Sequence, residues 1–228
     1  MVVTVRVAAL VCLVGAAVAG CADGGGARER SAAQMLDDAN DTMSSLKSVT
    51  VDMTSGAGFS MRVTTDLRSR CTSKVAWKNG ARLEQIRIGE TDYVRPNRTY
   101  LERWKGSAVS GKDDQERWIK VPAGRAEPGD GLSACPREFA SFGKVTKGRS
   151  TEVDGSPAIE LVVTDKADKG GTYTFQVATE GKPYILKVVY RRTGERTTTS
   201  YSAFDEPLGV RAPAEADVLA ATAGDLIA

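Results

Sequence analysis

Val49-Thr50-Val51-Asp52-Met53-Thr54-Ser55-Gly56-Ala57-Gly58-Phe59-Ser60-Met61-Arg62-Val63 alternates apolar and polar residues on both sides of a glycine-bearing turn. Val49, Val51 and Met53 share one side and Thr50, Asp52 and Thr54 the other, the period-two pattern of a strand with one buried face. After Gly56-Ala57-Gly58, the odd positions Phe59, Met61, Val63 and Leu67 continue the apolar side, interrupted at Thr65, so the stretch reads as a β-hairpin. Val75 and Trp77 mark a third strand closed by the turn dipeptide Asn79-Gly80, and a fourth starts at Ala81. In the fourth, Ala81 and Leu83 share one parity and Ile86 and Ile88 the other, which predicts a bulge near Glu84. Gly89-Glu90 then turns into a fifth strand, Thr91 to Arg95.

Upstream of the hairpin the period is helical. Ser31 followed by Gln34 matches a capping box, and Ala32, Leu36, Ala39, Met43 and Leu46 fall on one face of a helix predicted over Ser31 to Lys47. That face requires a sheet to pack on, while Asp37, Asp38, Asn40, Asp41 and Lys47 form a solvated face. Downstream, 96–136 is polar and weakly periodic, with Thr99 to Trp104 helical, Trp118 to Val121 a short strand, and a short helix over Leu132 to Phe142 started or broken at Pro136. Strands resume near Val145 and form a second meander through Ala158 to Thr164, Tyr173 to Val177, Tyr184 to Arg191 and Arg196 to Tyr201. Ile185-Leu186 and Val188-Val189 are apolar on both faces, which calls for a second cover, a helix or a ligand. Arg191, Arg192 and Arg196 cluster at a hairpin tip. An exposed turn explains them more simply than a basic patch for anionic headgroups. Trp77, Trp104 and Trp118 read as core or cavity wall.

The amino terminus adds a location. Met1 to Arg6 carries one positive charge and Val7 to Ala19 is an apolar run of about 13 residues, short of the roughly 20 that span a bilayer. The run ends in Val18-Ala19-Gly20-Cys21, which resembles the bacterial lipobox, where the cysteine thiol takes a diacylglyceryl group and becomes the first mature residue. A conventional signal peptide with an incidental thiol is the alternative. Residues 1–20 are then a signal peptide and 21–30 a lipidated tether containing Gly24-Gly25-Gly26. The domain follows over 31–219, with a flexible tail over 220–228.

Composition excludes several functions. The net charge of +2 gives no field for gathering nucleic acid. There is no histidine, so Ser-His-Asp and Cys-His nucleophile systems and histidine metal sites are ruled out. The adjacent carboxylates Asp37-Asp38 and Asp113-Asp114 lie in polar stretches and read as solvated surface. Of four cysteines, Cys12 leaves with the signal and Cys21 is lipidated, leaving Cys71 and Cys135 to form one disulfide outside the cell.

The landmarks Ile86-Arg87-Ile88-Gly89-Glu90-Thr91-Asp92-Tyr93-Val94, Trp118-Ile119-Lys120-Val121-Pro122, Gly181-Lys182-Pro183-Tyr184-Ile185-Leu186-Lys187-Val188 and Tyr201-Ser202-Ala203-Phe204-Asp205-Glu206-Pro207, with Ala212 to Val218 after them, resemble the LppX/LprG type of actinobacterial lipoprotein, whose fold is similar to that of the LolA and LolB carriers. The resemblance implies an α+β fold: a single curved antiparallel sheet, a half-barrel of roughly nine to eleven strands, wrapped over a few helices. It further implies an apolar cavity between sheet and helices, here lined by Leu36, Ala39, Met43, Leu46, Ile185 and Val188. The Cys71/Cys135 pair and the polar insertion around Gly106 to Glu116 depart from the mycobacterial members.

The function expected is a monomeric, non-enzymatic lipoprotein, without metal or cofactor, on the extracytoplasmic face of the cell membrane. It binds or carries a lipid or lipoglycan. A structural or sensory envelope domain acting through protein contacts is the alternative, and a carboxylate-based esterase or glycosidase a remoter one. Changing Cys21→Ser is expected to yield an uncut or soluble form on fractionation; a variant that is cleaved, unmodified and still held in membranes contradicts the anchor.

Overall fold

A computed structural model of the chain describes residues 30–105, 117–123, 131–139, 141, 143–165, 168 and 170–219. The expected signal peptide, Cys21 and most of the expected tether, and the insertion over 106–116, lie outside the described residues.

The first helix starts where its cap puts it. The Gln34 amide donates to the Ser31 hydroxyl (3.2 Å) and the Ser31 amide to the Gln34 side chain (3.0 Å), a complete capping box. Helix α1 runs Ala32–Ser44, ending before the predicted Lys47 because the loop after the last long strand grips the next residues. The Lys47 amide donates to Asp205 Oδ1 (2.7 Å), the Ser48 hydroxyl to the Glu206 carbonyl (2.6 Å) and the Asp205 amide to the Ser48 carbonyl (3.0 Å).

The first meander contains β1 (Val49–Ser55), β2 (Ser60–Thr65), β3 (Arg70–Ala76), β4 (Arg82–Ile88) and β5 (Thr91–Pro96). Helix α2 (Arg98–Lys105) and β6 (Trp118–Pro122) follow, close to their predicted places. The second meander contains β7 (Lys144–Val153), β8 (Ser156–Thr164), β9 (Thr172–Ala178), β10 (Ile185–Arg192) and β11 (Glu195–Ser202), and a 3-10 turn over Glu215–Asp217 leads into β12 (Val218–Leu219). All twelve strands form one open sheet in the order β12-β6-β5-β4-β3-β2-β1-β11-β10-β9-β8-β7. Neighbours are antiparallel except β12 on β6. The β1–β11 pairing joins the two meanders.

Register divides the sheet into two chemically different faces. Met53 aligns with Met61 and Thr199, Met61 with Val75, Val75 with Leu83, Thr199 with Val188, Val188 with Phe175 and Phe175 with Leu161. That row lies on the inner, apolar face. One residue along, Asp52, Arg62, Lys74, Glu84 and Arg95 align across the outer face. Successive side chains in a strand point to opposite faces, so the alternation in sequence becomes this separation.

Three local expectations are corrected. There is no bulge near Glu84: β3 and β4 stay in continuous register from Arg70/Ile88 to Ala76/Arg82. Ile86 therefore faces outward, half-buried, and Gln85 occupies the inner face. A bulge is found instead between Ile185 and Lys187. It puts Ile185 and Val188 on the same face, so their spacing does not make β10 two-sided; Val189 faces outward between Thr174 and Thr198, and is buried there. Finally, the described part of the expected Leu132 to Phe142 helix, Leu132 to Phe139 with residue 141, is neither helix nor strand. It forms a strap across the inner face, pinned by the predicted Cys71–Cys135 disulfide, which closes 64 residues. Chain-entropy arithmetic puts such a cross-link at about 4 kcal/mol at most.

Candidate functional site

The inner face is covered in two ways and left half-open between. Under α1, Leu36, Ala39, Met43 and Leu46 join Ile185 in one buried apolar cluster with Val49, Val51 and Leu161, and Val188 packs at its edge. All six residues expected to line a cavity are thus brought together. Ala39 and Met43 have no accessible surface at all, so they face packed atoms on every side. Burial then falls along β1, from Val49 and Val51 to a half-exposed Met53. Met61, Val188, Tyr190 and Tyr173 on the same face are likewise half-buried. They form a strip of apolar and aromatic surface on β2, β1, β10 and β9, crossed on β11 by Thr199 and Thr197, next to the closed cluster.

The strap covers the inner face of β2 to β4. Gly131 adopts φ of 87°, and any side chain there would run into the Trp77 ring. The Thr65 hydroxyl donates to the Cys135 carbonyl at 2.7 Å. Further on, Phe139 meets Tyr201 edge-on, with ring centroids 5.9 Å apart, and Asn40 of α1 donates to the Ser141 hydroxyl at 3.0 Å. The strap therefore ties the sheet to the helix.

Beneath it lies a polar network in an otherwise apolar face. Gln85 Oε1 accepts the Ser133 amide (2.8 Å) and the Ser73 hydroxyl (3.1 Å), while its Nε2 donates to Asp92 Oδ1 (2.9 Å) and to the Ser133 carbonyl (3.2 Å). Arg87 Nε donates to Asp92 Oδ1 (2.8 Å) and its Nη2 to Asp92 Oδ2. The Asp92 side chain is fully buried and that of Arg87 is 11% exposed. Each partner of such a pair is stable there only because the other is present. The sequence analysis missed this cluster, although Arg87 and Asp92 face each other across the tight Gly89-Glu90 turn. Polar residues at inner-face parity were its signal.

The hairpin tip resolves into pairs. Arg192 lies 3.9 Å from Asp168, which also accepts from the Tyr173 hydroxyl at 3.2 Å. Burial and that carboxylate raise the Tyr173 pKa above its ordinary value. Tyr173 and Tyr190 rings sit 4.7 Å apart, a polar rim to the half-open strip. Arg191 and Arg196 are exposed cross-strand neighbours. Trp77 contacts Phe59 and Tyr100, and Trp118 carries Arg95 above its ring at 4.7 Å.

A separate pocket of about 300 Å³ involves Asp52, Thr54, Ser60, Arg62, Lys74 and Arg82, among others, with Met53, Met61, Val75 and Leu83 between the two flanking rows. Both flanking rows are outer-face rows, so the pocket opens away from α1. Four of its charges are used on one another, with Arg62–Asp52 at 3.3 Å and Lys74–Glu84 at 3.8 Å. Among the described residues there is no cluster of metal-ligating side chains, and no helix is long and apolar enough to cross a membrane.

No protein-family model matches the chain, and no curated protein matches it in sequence. Solved structures do match in fold. The lipoprotein LppX of Mycobacterium tuberculosis superposes with a TM-score of 0.52 at 14% identity, covering 78% of this chain and 96% of that one. LprF from Mycobacterium bovis gives 0.53 at 14%, covering 80% and 97%. The likeness read from the strand and turn landmarks is therefore present in three dimensions, as an architecture; at this identity residue roles do not transfer with it.

Replacing Asp92→Ala removes the carboxylate that pairs the Arg87 guanidinium and leaves Gln85 Nε2 with the Ser133 carbonyl, and is expected to lower the unfolding free energy by about 3–5 kcal/mol. The paired change Arg87→Met with Asp92→Leu is expected to restore most of that loss. Denaturant titration of the three proteins checks this, and a single-variant cost below about 1 kcal/mol contradicts the assignment.

Proposed function

We propose that this chain is an exported lipoprotein, anchored through Cys21, whose 31–219 domain holds the acyl part of a lipid or lipoglycan against the inner face of its sheet. The observation that carries the reading is the half-open strip of Met53, Met61, Val188, Tyr173 and Tyr190, continuous with the buried cluster under α1. Apolar surface gathered in the concavity of a fold, rather than scattered singly, marks a place where something binds. Methionine suits such a surface, since its flexible thioether adapts to chains of different shape. The tyrosine rims give the strip a polar border, as ligand sites commonly have.

The closed packing around Ala39 and Met43 narrows the site. An acyl chain lies along Val188 and the two methionines, with α1 as a wall, rather than deep beneath the helix. The buried Asp92 carboxylate is taken up by the Arg87 guanidinium and by Gln85, so it is not poised as a catalytic acid or base. The fold shared with LppX and LprF supports a lipoprotein reading of the anchor.

The test is native mass spectrometry of the full chain in neutral detergent after exposure to a total lipid extract. Wild type is expected to retain an acyl lipid, and Val188→Glu to lose at least about tenfold in occupancy, since a carboxylate in the strip opposes an apolar chain. The far-ultraviolet spectrum should stay unchanged. Wild type that takes up no lipid from the extract removes the proposal in favour of an envelope domain acting through protein contacts.

A further inference from the structure

Arg137 has no role in anything described so far. It sits on the strap, two residues beyond the disulfide, beside Tyr201 on the inner face. Its Nε is sealed from solvent and has no hydrogen-bond partner, and no described carboxylate forms an ion pair with it. Burial pulls its pKa down, with the neighbouring Tyr201 opposing that shift, and no acid contributes. The residue as a whole is half-buried, and a guanidinium keeps its proton in proteins, so the desolvation of its Nε stays uncompensated until an anion arrives. The inner face's buried carboxylate, Asp92, is already held in a two-point pair by Arg87.

Its position relative to the strip is informative. Tyr201 aligns with Val51, and the next inner-face row along the same strands is Met53 with Thr199. Two residues along a strand is about 7 Å. A group at Arg137 is therefore at the distance of a headgroup from a chain lying on Met53 and Val188. From this geometry we infer that Arg137 receives the acidic group of the ligand, a carboxylate or phosphate, which makes the ligand an anionic amphiphile. This rests on the acyl-binding reading above and specifies its chemistry. A charge-assisted contact in a partly dry site also gives direction to the chain, headgroup toward the strap and tail toward Tyr190.

The full chain, stripped of co-purifying lipid and kept in neutral detergent, is titrated with palmitate, with hexadecanol and with inorganic phosphate. Wild type is expected to bind palmitate about tenfold or more tighter than hexadecanol. In Arg137→Gln the two become equal through loss of palmitate affinity, with hexadecanol unchanged. Arg137→Lys keeps a preference for palmitate and controls for folding. A second readout is stability: lipid-free Arg137→Met is expected to melt no lower than wild type, because it removes a half-buried charge that no described carboxylate pairs. Equal binding of palmitate and hexadecanol by wild type overturns the inference and leaves acyl binding standing. Binding of neither amphiphile overturns both. Phosphate bound through Arg137 with no amphiphile bound assigns the position to a free anion and also overturns it.

Discussion

Everything in this fold answers to the need to cover one apolar face of a very wide sheet. Twelve strands at about 4.8 Å spacing span roughly 50 Å, whereas α1, with 13 residues, is about 20 Å long. One such helix cannot shield the whole inner face. It closes the region where Val49, Val51, Leu161 and Ile185 meet Ala39 and Met43. Across β2 to β4 a second cover is needed, and the chain supplies it without regular secondary structure. What remains between the two covers is the half-open strip, so the candidate site is a consequence of incomplete cover rather than a separate feature added to a finished core.

The strap illustrates how an irregular segment is held against a sheet. Irregular backbone over an apolar face has amides and carbonyls that no ladder satisfies. Here Gln85 accepts the Ser133 amide and donates to its carbonyl, and Thr65 takes the Cys135 carbonyl. Gln85 in turn needs Asp92, and Asp92 needs Arg87. The disulfide adds a covalent pin between β3 and the strap, and Phe139 with Asn40 and Ser141 carries the connection to α1. A polar network that is fully partnered fixes one arrangement, which an apolar strap sliding on valines does not.

What was legible in the sequence was whatever local pattern determines. The β1–β2 hairpin, the capped start of α1, β6 and the turn at Asn79-Gly80 follow from periods and turn residues that act over a few positions. The disulfide was legible by counting cysteines in an exported chain. The misreadings share a cause in distant partners. Ile86 and Ile88, at the parity opposite to Ala81 and Leu83, suggested a bulge, because the residue that keeps the inner-face parity is Gln85, whose partner Ser133 lies 48 residues away. Leu132 to Phe142 suggested a helix, because a stretch around a proline does not reveal that a distant sheet will hold its backbone out of regular structure. Ile185 and Val188 looked two-sided because a bulge leaves no mark in composition. Arg137 was passed over, since an arginine in a loop signals nothing until its surroundings are seen to lack an acid.

The account centres on the strip beside α1 as the place where an acyl chain lies. Photo-crosslinking with a diazirine-bearing fatty acid, followed by residue-level mass spectrometry, addresses it most directly. The account predicts adducts concentrated on Met53, Met61, Val188 and Tyr190. Adducts concentrated on the outer-face residues Arg62, Lys74 and Arg82, or spread without preference over both faces of the sheet, would contradict it.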